Sequence, residues 1–330
     1  MKRPRRYFSY FLILLTFYIG FGWVFYKSLN PSSPTLENPC IFYSNQCRDD
    51  LRWTLYKAIQ NASESIDVIM FGLTEPSIIH VLSEKAKEIP VKMFYDAKNT
   101  PKLDRLLPHI DATPVKKSGF MHQKILIIDK KIVYVGSANF TKSSLLMHDN
   151  MIIGLYSPKI ANFLLQKCPY SSGHLNVLHA GQELDFWLLP DPRGNGLNQA
   201  LKILRRASKS IKIAIFTFTH PDVIQELIQA KKRGVDVTVV IDFGSSLGIS
   251  QKTRQTLKQE NIEVLVNQSN NLLHHKFICV DDKILLTGSA NLTKAAFYKN
   301  HDCFLILHNL NEPQKKFITT LWKTIISQAK

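Results

Sequence analysis

The segment MHQKILIIDKKIVYVGSANFTKSS, residues 121–144, returns at residues 274–297 as HHKFICVDDKILLTGSANLTKAAF. In each copy a histidine and a lysine two positions later stand ahead of a short apolar run, ILII after Lys124 and FICV after Lys276. Such runs predict buried strands, and side chains two apart on a strand share a face. His122 with Lys124, and His274 with Lys276, are therefore expected to project together. Asp129-Lys130-Lys131 and Asp281-Asp282-Lys283 read as turns, after which IVYVGSAN and ILLTGSAN return as neighbouring strands. On those strands Ser137 shares a face with Asn139, and Ser289 with Asn291. Gly136 and Gly288 permit close backbone approach, and the following FTKSS and LTKAA open helices whose N–H groups suit phosphate.

The repetition extends outward from the signature. DLRWTLYKAIQNASESIDVIMFGLTEP, ending at Pro76, matches GLNQALKILRRASKSIKIAIFTFTHP, ending at Pro221. Each is a helix-like stretch followed by a strand. Next come a helix and a second strand, closing as IPVKMFYD at Asp96 and VDVTVVID at Asp242. A few extra residues sit in the second half around Gly244 to Gln259. Helical periodicity alternating with short apolar runs predicts an α/β fold in two similar lobes.

Duplication matters chemically. A lysine is a positive charge that binds a phosphate oxygen. An imidazole attacks phosphorus or passes a proton near neutral pH. One His-Lys pair supplies a nucleophile or an acid, and two facing pairs supply both. One histidine would become a covalent phosphohistidine while the other protonates the leaving alcohol and then activates water or an incoming alcohol. Ser137, Asn139, Ser289 and Asn291 are candidate donors to the phosphoryl oxygens. The pattern calls for no cofactor and no metal, since cationic side chains neutralise the phosphate and no carboxylate cluster accompanies the histidines.

The doubled His-x-Lys…Asp…Gly-Ser-x-Asn pattern resembles the phospholipase D superfamily from about residue 40 to the end. The resemblance implies two α/β lobes related by a pseudo-two-fold axis, with the active site at their interface. It implies His122 as nucleophile and His274 as general acid and base, with Lys124 and Lys276 beside them. It also implies an acidic residue after each signature, bonded to a catalytic histidine. Asp149 in HDNMII and Asp302 in HDCFLI are the candidates, each an aspartate where the family carries glutamate. Asp129 and Asp281 are read as supporting residues that hold the turn by side-chain hydrogen bonds. His148 and His301 are candidates to line the site, with surface or core placement the plainer alternative.

The organisation expected is a basic cytoplasmic N-terminus (1–6), a transmembrane anchor or signal sequence (7–26), a linker (27–38), a first phospholipase D-like repeat (39–167), a linker (168–180) and a second repeat (181–330). Tyr7 to Tyr26 carry no charge. As a helix these residues rise about 30 Å, the thickness of a bilayer's hydrocarbon core. Lys2, Arg3, Arg5 and Arg6 precede the run, which places residues 30–330 outside the cytoplasm. Cleavage of the segment would make the protein secreted.

The chain of 330 residues is 45% apolar and 21% charged, a globular rather than disordered composition, with a formal net charge of +16. That excess favours an anionic partner. Membrane phospholipids are the expected partner and nucleic acid the second possibility. A monomer is expected, since one chain holds both half-sites. The function expected is phospholipid hydrolysis or phosphatidyl transfer. The alternatives are a membrane-anchored, metal-independent endonuclease and a catalytically silent binding protein. Cys40 and Cys47 are close enough in sequence to form a disulfide or to remain unpaired.

Overall fold

The computed structural model describes residues 4–100, 103, 107, 109–116 and 118–330, without the side chains of 4–9, 11, 12, 23–25, 27 and 28. In chain order the strands are β1 (Cys40–Ser44), β2 (Ile66–Met70), β3 (Val91–Asp96), β4 (Asp111–Val115), β5 (Lys124–Ile128), β6 (Ile132–Gly136), β7 (Met151–Tyr156), β8 (Gly173–His179), β9 (Gln182–Leu188), β10 (Ser210–Ile215), β11 (Asp236–Ile241), β12 (Glu263–Val266), β13 (Lys276–Val280), β14 (Ile284–Gly288) and β15 (Cys303–Leu307). They form a seven-stranded sheet, β1-β7-β6-β5-β2-β3-β4, and an eight-stranded sheet, β12-β11-β10-β13-β14-β15-β9-β8. The second repeats the first with β9 in the place of β1, and β8 is the added strand. Both sheets are mixed: β2 and β3 run parallel, as do β10 and β11, while β5 and β13 run antiparallel to the strands beside them.

Strand β8 lies inside the stretch 168–180 expected to be a linker. Its sequence GHLNVLH alternates, and it pairs with β9 along its full length. Only the start of that stretch is loop.

The signature strands bury both faces. On β5, Ile125 and Ile127 enter a core shared by the two sheets, where Phe277 and Cys279 of β13 meet them. Leu126 and Ile128 face the other way, against the helix Leu51–Gln60 of their own repeat. Ile278 and Val280 do the same in the second repeat, against Asn195–Arg205 and Pro221–Lys232. Each sheet is thus covered by helices on its outer face, while the core between the sheets also takes in the helices Pro158–Lys167 and Glu312–Ser327, and a period of two distributes each strand between two cores. Pro76 and Pro221 occupy the first turns of equivalent helices, where the missing N–H costs no bond.

The chain divides into two units, Met1–Ser33 and Pro34–Lys330. In the first, Pro4–Leu29 is one helix of 26 residues. Among the described residues no helix is long and apolar enough to cross a membrane. Met1, Lys2 and Arg3 lie outside the described residues, as do the side chains of Arg5, Arg6, Tyr7 and Trp23 that entered the anchor expectation. All five cysteines are free, so Cys40 and Cys47 are unpaired, and Cys40 Sγ instead accepts from Gln314 Nε2 at 3.5 Å.

Candidate active site

Strand pairing carries both signatures to one end of their sheets. Met70 at the end of β2 pairs with Lys124 at the start of β5, and Gly136 at the end of β6 pairs with Ile152 of β7. In the second repeat Ile215 pairs with Lys276, and Gly288 with Phe304. The two ends are then joined by reciprocal bonds. His122 N donates to His301 O at 2.8 Å, and His274 N donates to Asp149 O at 2.9 Å. His301 N donates to Phe120 O, and Asp149 N to Leu272 O. Equivalent residues exchange the same contacts in both directions, as an isologous two-fold interface requires. Asp96 and Asp242, at the ends of β3 and β11, each accept a bond from the residue before a signature histidine: Met121 N at 3.1 Å and Leu273 N at 3.1 Å.

Each histidine takes its ring partner from the other repeat. His122 Nδ1 lies 2.7 Å from Asp302 Oδ1. Asp302 is fully buried, and Ser289 Oγ also donates to Oδ1 at 2.7 Å. The histidine–aspartate pair expected from the sequence is therefore present for Asp302. For Asp149 it is not. His274 Nδ1 lies 3.0 Å from Asn150 Oδ1, to which Ser137 Oγ donates at 2.7 Å. The Asp149 carboxylate instead accepts from Asn271 Nδ2 at 3.4 Å. The reason is register. Asp302 stands fourteen positions after Gly288, and the residue fourteen after Gly136 is Asn150. Counting from the glycine, rather than matching the His-Asp dipeptides, would have found it. The amide cannot turn round, because its Nδ2 donates to Ser144 O at 2.8 Å and His148 O at 3.2 Å.

Ser137 and Ser289 lie one step behind the histidines. Each donates to a ring partner, and each hydroxyl accepts from the next strand, Met151 N at 3.1 Å and Cys303 N at 3.0 Å. Those bonds engage them as positioning residues where the sequence suggested phosphate donors. Asn139 presents a buried Oδ1 with no hydrogen-bond partner among the described residues, while Asn291 Oδ1 accepts from Thr217 N at 3.3 Å. Lys124 and Lys276 are buried, each bonded through Nζ to the carbonyl of its own histidine. Phe71 lies under Lys124 and edge-on to His122; Phe216 holds the same place against Lys276 and His274. His148 comes within 6.1 Å of the His274 ring, and His301 is tied to His122 through its backbone.

Asp129 and Asp281 are at the opposite end of the sheets. Asp129 accepts from the backbone N–H of Ser63, Glu64 and Ser65, and Asp281 from those of Ser208, Lys209 and Ser210. Burial works against ionisation of both, but these donors outweigh it and hold their carboxyls below the usual range. They clamp a turn and do not touch the histidines.

The four basic groups crowd one buried space. Burial, then Lys276 and the other cations, pushes His274 well below its ordinary value. Burial and Lys124 lower His122, although Asp302 opposes them. Burial pushes Lys124 down to about 7, and burial with the Lys124 charge pushes Lys276 well below its usual range. An anion placed among these groups would oppose each of these shifts. The arrangement therefore favours an anion, and the Nδ1 pairings leave the two imidazole Nε2 atoms to do chemistry on it.

Comparison with known proteins agrees in family and fold. A family model described as cardiolipin synthase, PLD-like domain matches residues 55–168 and 200–324. The chain is similar to the mitochondrial cardiolipin hydrolase of Xenopus tropicalis, 32% identical over 112 residues, which is 34% of this chain and 53% of that protein. It is also similar to cardiolipin synthase A of Wigglesworthia glossinidia brevipalpis, 24% identical over 223 residues, 59% of this chain and 45% of that protein. The chain thus spans about half the length of the curated relatives it matches. The crystal structure of phosphatidylserine synthase from Haemophilus influenzae matches with a TM-score of 0.69 over 92% of this chain and 90% of that one. At 14% identity that likeness is one of fold.

Proposed function

The chain belongs to the family of the cardiolipin synthase, PLD-like domain, and on that premise we propose that it is a phospholipase D-type phosphodiesterase acting on phospholipids. His122 Nε2 attacks phosphorus, the bond from phosphorus to the leaving oxygen breaks, and His274 gives that oxygen its Nε2 proton. A phosphohistidine remains on His122. Water or an alcohol then surrenders a proton to His274 and attacks phosphorus, which returns His122 to its free form. Water as acceptor gives hydrolysis, and an alcohol gives phosphatidyl transfer. Lys124 and Lys276 hold the non-bridging oxygens, and Asn139 is the further candidate to contact them.

The observation that carries this reading is the unequal pairing of the two rings. A phosphorylated imidazole with a proton on Nδ1 is cationic, and Asp302 stands 2.7 Å from the Nδ1 of His122 to stabilise it. His274 must give up and regain a proton in every cycle, and its neutral partner Asn150 fixes the ring without holding the proton on it. The lipid substrate draws on the family, on the names of the relatives and on the uncharged run 7–26 within the helix Pro4–Leu29. That run is proposed as a single-pass anchor with residues 30–330 outside the cytoplasm, or as a cleaved segment of a secreted protein. The chain is proposed to act as a monomer.

The test uses the purified full chain in detergent with EDTA, offered headgroup-labelled phospholipid in one reaction and single-stranded DNA or RNA in another. Headgroup release is expected to survive EDTA and to fall by about a thousandfold or more in His122→Ala and in His274→Ala. Cleavage of nucleic acid alone would replace the lipid assignment with the endonuclease reading. Turnover of neither would favour a binding protein.

A further inference from the structure

Ten large apolar side chains beyond residue 33 are exposed among the described residues; seven of them sit on four segments at the active-site end of the two sheets, and Tyr170, just before β8, is at that end too. Phe120 precedes His122. Leu146 and Met147 lie between β6 and β7, and Tyr298 lies in the equivalent place between β14 and β15. Phe243, Leu247 and Ile249 follow β11, at and just after the start of the stretch where the second repeat is longer. The pairings that bring Lys124 and Lys276 to this end bring the ends of β3, β6, β11 and β14 there too. The opposite end differs. Its turns at 63–65, 129–131, 208–210 and 281–283 are built of Ser, Asp, Glu and Lys, and none of the ten lies on them.

On the four segments that carry these side chains the exposed charges are all of one sign, while the neighbouring segment after β10 adds one exposed carboxylate, Asp222. In segments 118–123, 139–150, 243–256 and 291–302 the carboxylates are Asp149 and Asp302, both buried. Lys142, Lys252, Lys294 and Lys299 are exposed. A cavity of about 610 Å³ opens among them, with Ile224 and Ile249 beside Lys252 and Lys294. Apolar side chains interleaved with ammonium groups match the boundary where acyl chains meet anionic headgroups. An exposed apolar patch of this kind marks an interaction surface.

We infer that the active-site rim is a membrane-docking surface, in which Phe243, Leu247 and Ile249 enter the acyl boundary of an anionic phospholipid bilayer while the rim lysines contact its phosphates. This rests on the lipid reading above. It adds that the catalytic opening faces the bilayer, so that a phosphodiester passes from headgroup layer to histidines without leaving the surface. The segment after β11 has a role in this picture, since the helix Phe243–Leu247 and the turn that follows it carry all three of these side chains.

The experiment compares the full chain with a Phe243→Ser, Leu247→Ser, Ile249→Ser variant on two substrates of one headgroup. One is a long-chain lipid in vesicles of phosphatidylglycerol and phosphatidylcholine, and the other a short-chain lipid below its micellar concentration. The vesicle rate is expected to fall about tenfold or more, with the short-chain rate within about twofold of the unaltered chain. A Leu36→Ser, Leu178→Ser control removes exposed apolar surface at the opposite end of the sheets and is expected to leave both rates unchanged. An unchanged vesicle rate in the triple variant overturns the inference. Equal loss on both substrates also overturns it, since the side chains would then serve the site's architecture. Failure of the unaltered chain on both lipids would remove the lipid reading itself.

Discussion

The half-site of His122 and the half-site of His274 are made of matching parts in matching places. Each has a lysine bonded to its histidine's carbonyl, a phenylalanine beneath that lysine, and a serine that holds the ring partner. They differ at the partner itself, a carboxylate for His122 and an amide for His274. Duplication alone supplies two equivalent histidines. One atom's difference between Asp302 and Asn150 makes their surroundings unequal, in a way that suits the two roles proposed for them: one bears a cationic ring for the lifetime of an intermediate, and the other exchanges a proton twice per turnover.

The largest effect should come from removing one ring at a time on a substrate whose leaving group needs no proton. With a nitrophenyl phosphodiester, His274→Asn is expected to keep a burst of nitrophenol and to accumulate phosphoenzyme. His122→Asn should give neither. Bursts from both variants, or from His122→Asn alone, would break the assignment. Rapid-quench measurement of the burst decides it.

Exchanging the partners should have a smaller effect. Asp302→Asn is expected to lower kcat on the order of a hundredfold, by withdrawing the charge that stabilises the phosphorylated ring. Asn150→Asp should cost about tenfold and move the alkaline limb of the pH–rate profile up by about one unit. The sign follows from the proton balance. A carboxylate beside His274 favours its protonated form, so the acid survives to higher pH and yields its proton less readily. A profile that does not move would mean that His274 is not the titrating acid.

The smallest effect on rate is expected at the far end of the sheets. Asp129→Ala and Asp281→Ala should each lower stability by about 1–3 kcal/mol, from the unmet N–H groups of residues 63–65 or 208–210. Their kcat should stay within about threefold of the unaltered chain under conditions where the variants remain folded. Denaturant unfolding beside steady-state kinetics separates the two readouts. Equal losses from the two variants would show that the halves are alike where chemistry does not require them to differ.

Much of this protein was legible in its residues. The repeat, the α/β alternation, the turn-holding role of the signature aspartates and the pairing of each histidine with its own lysine follow from local spacing, because parity on a strand and Asp or Gly at a turn act within a few residues; that the two pairs meet was implied by the resemblance. Strand β8 was hidden behind the loop-like CPYSS that precedes it, and its pairing with β9 is what orders it. Asn150 was missed because a neighbouring aspartate offered the expected chemistry at the wrong register. The ring partners, by contrast, cross between repeats, 180 residues apart for Asp302 and 124 for Asn150. No local pattern encodes which carboxyl or amide reaches which imidazole. The same holds for the apolar rim, assembled from four separated segments that are neighbours only because the strands bring them to one end. The sequence determined that two half-sites exist; the tertiary structure decided that each is completed by the other, since the interface that joins the repeats is also where their side chains meet.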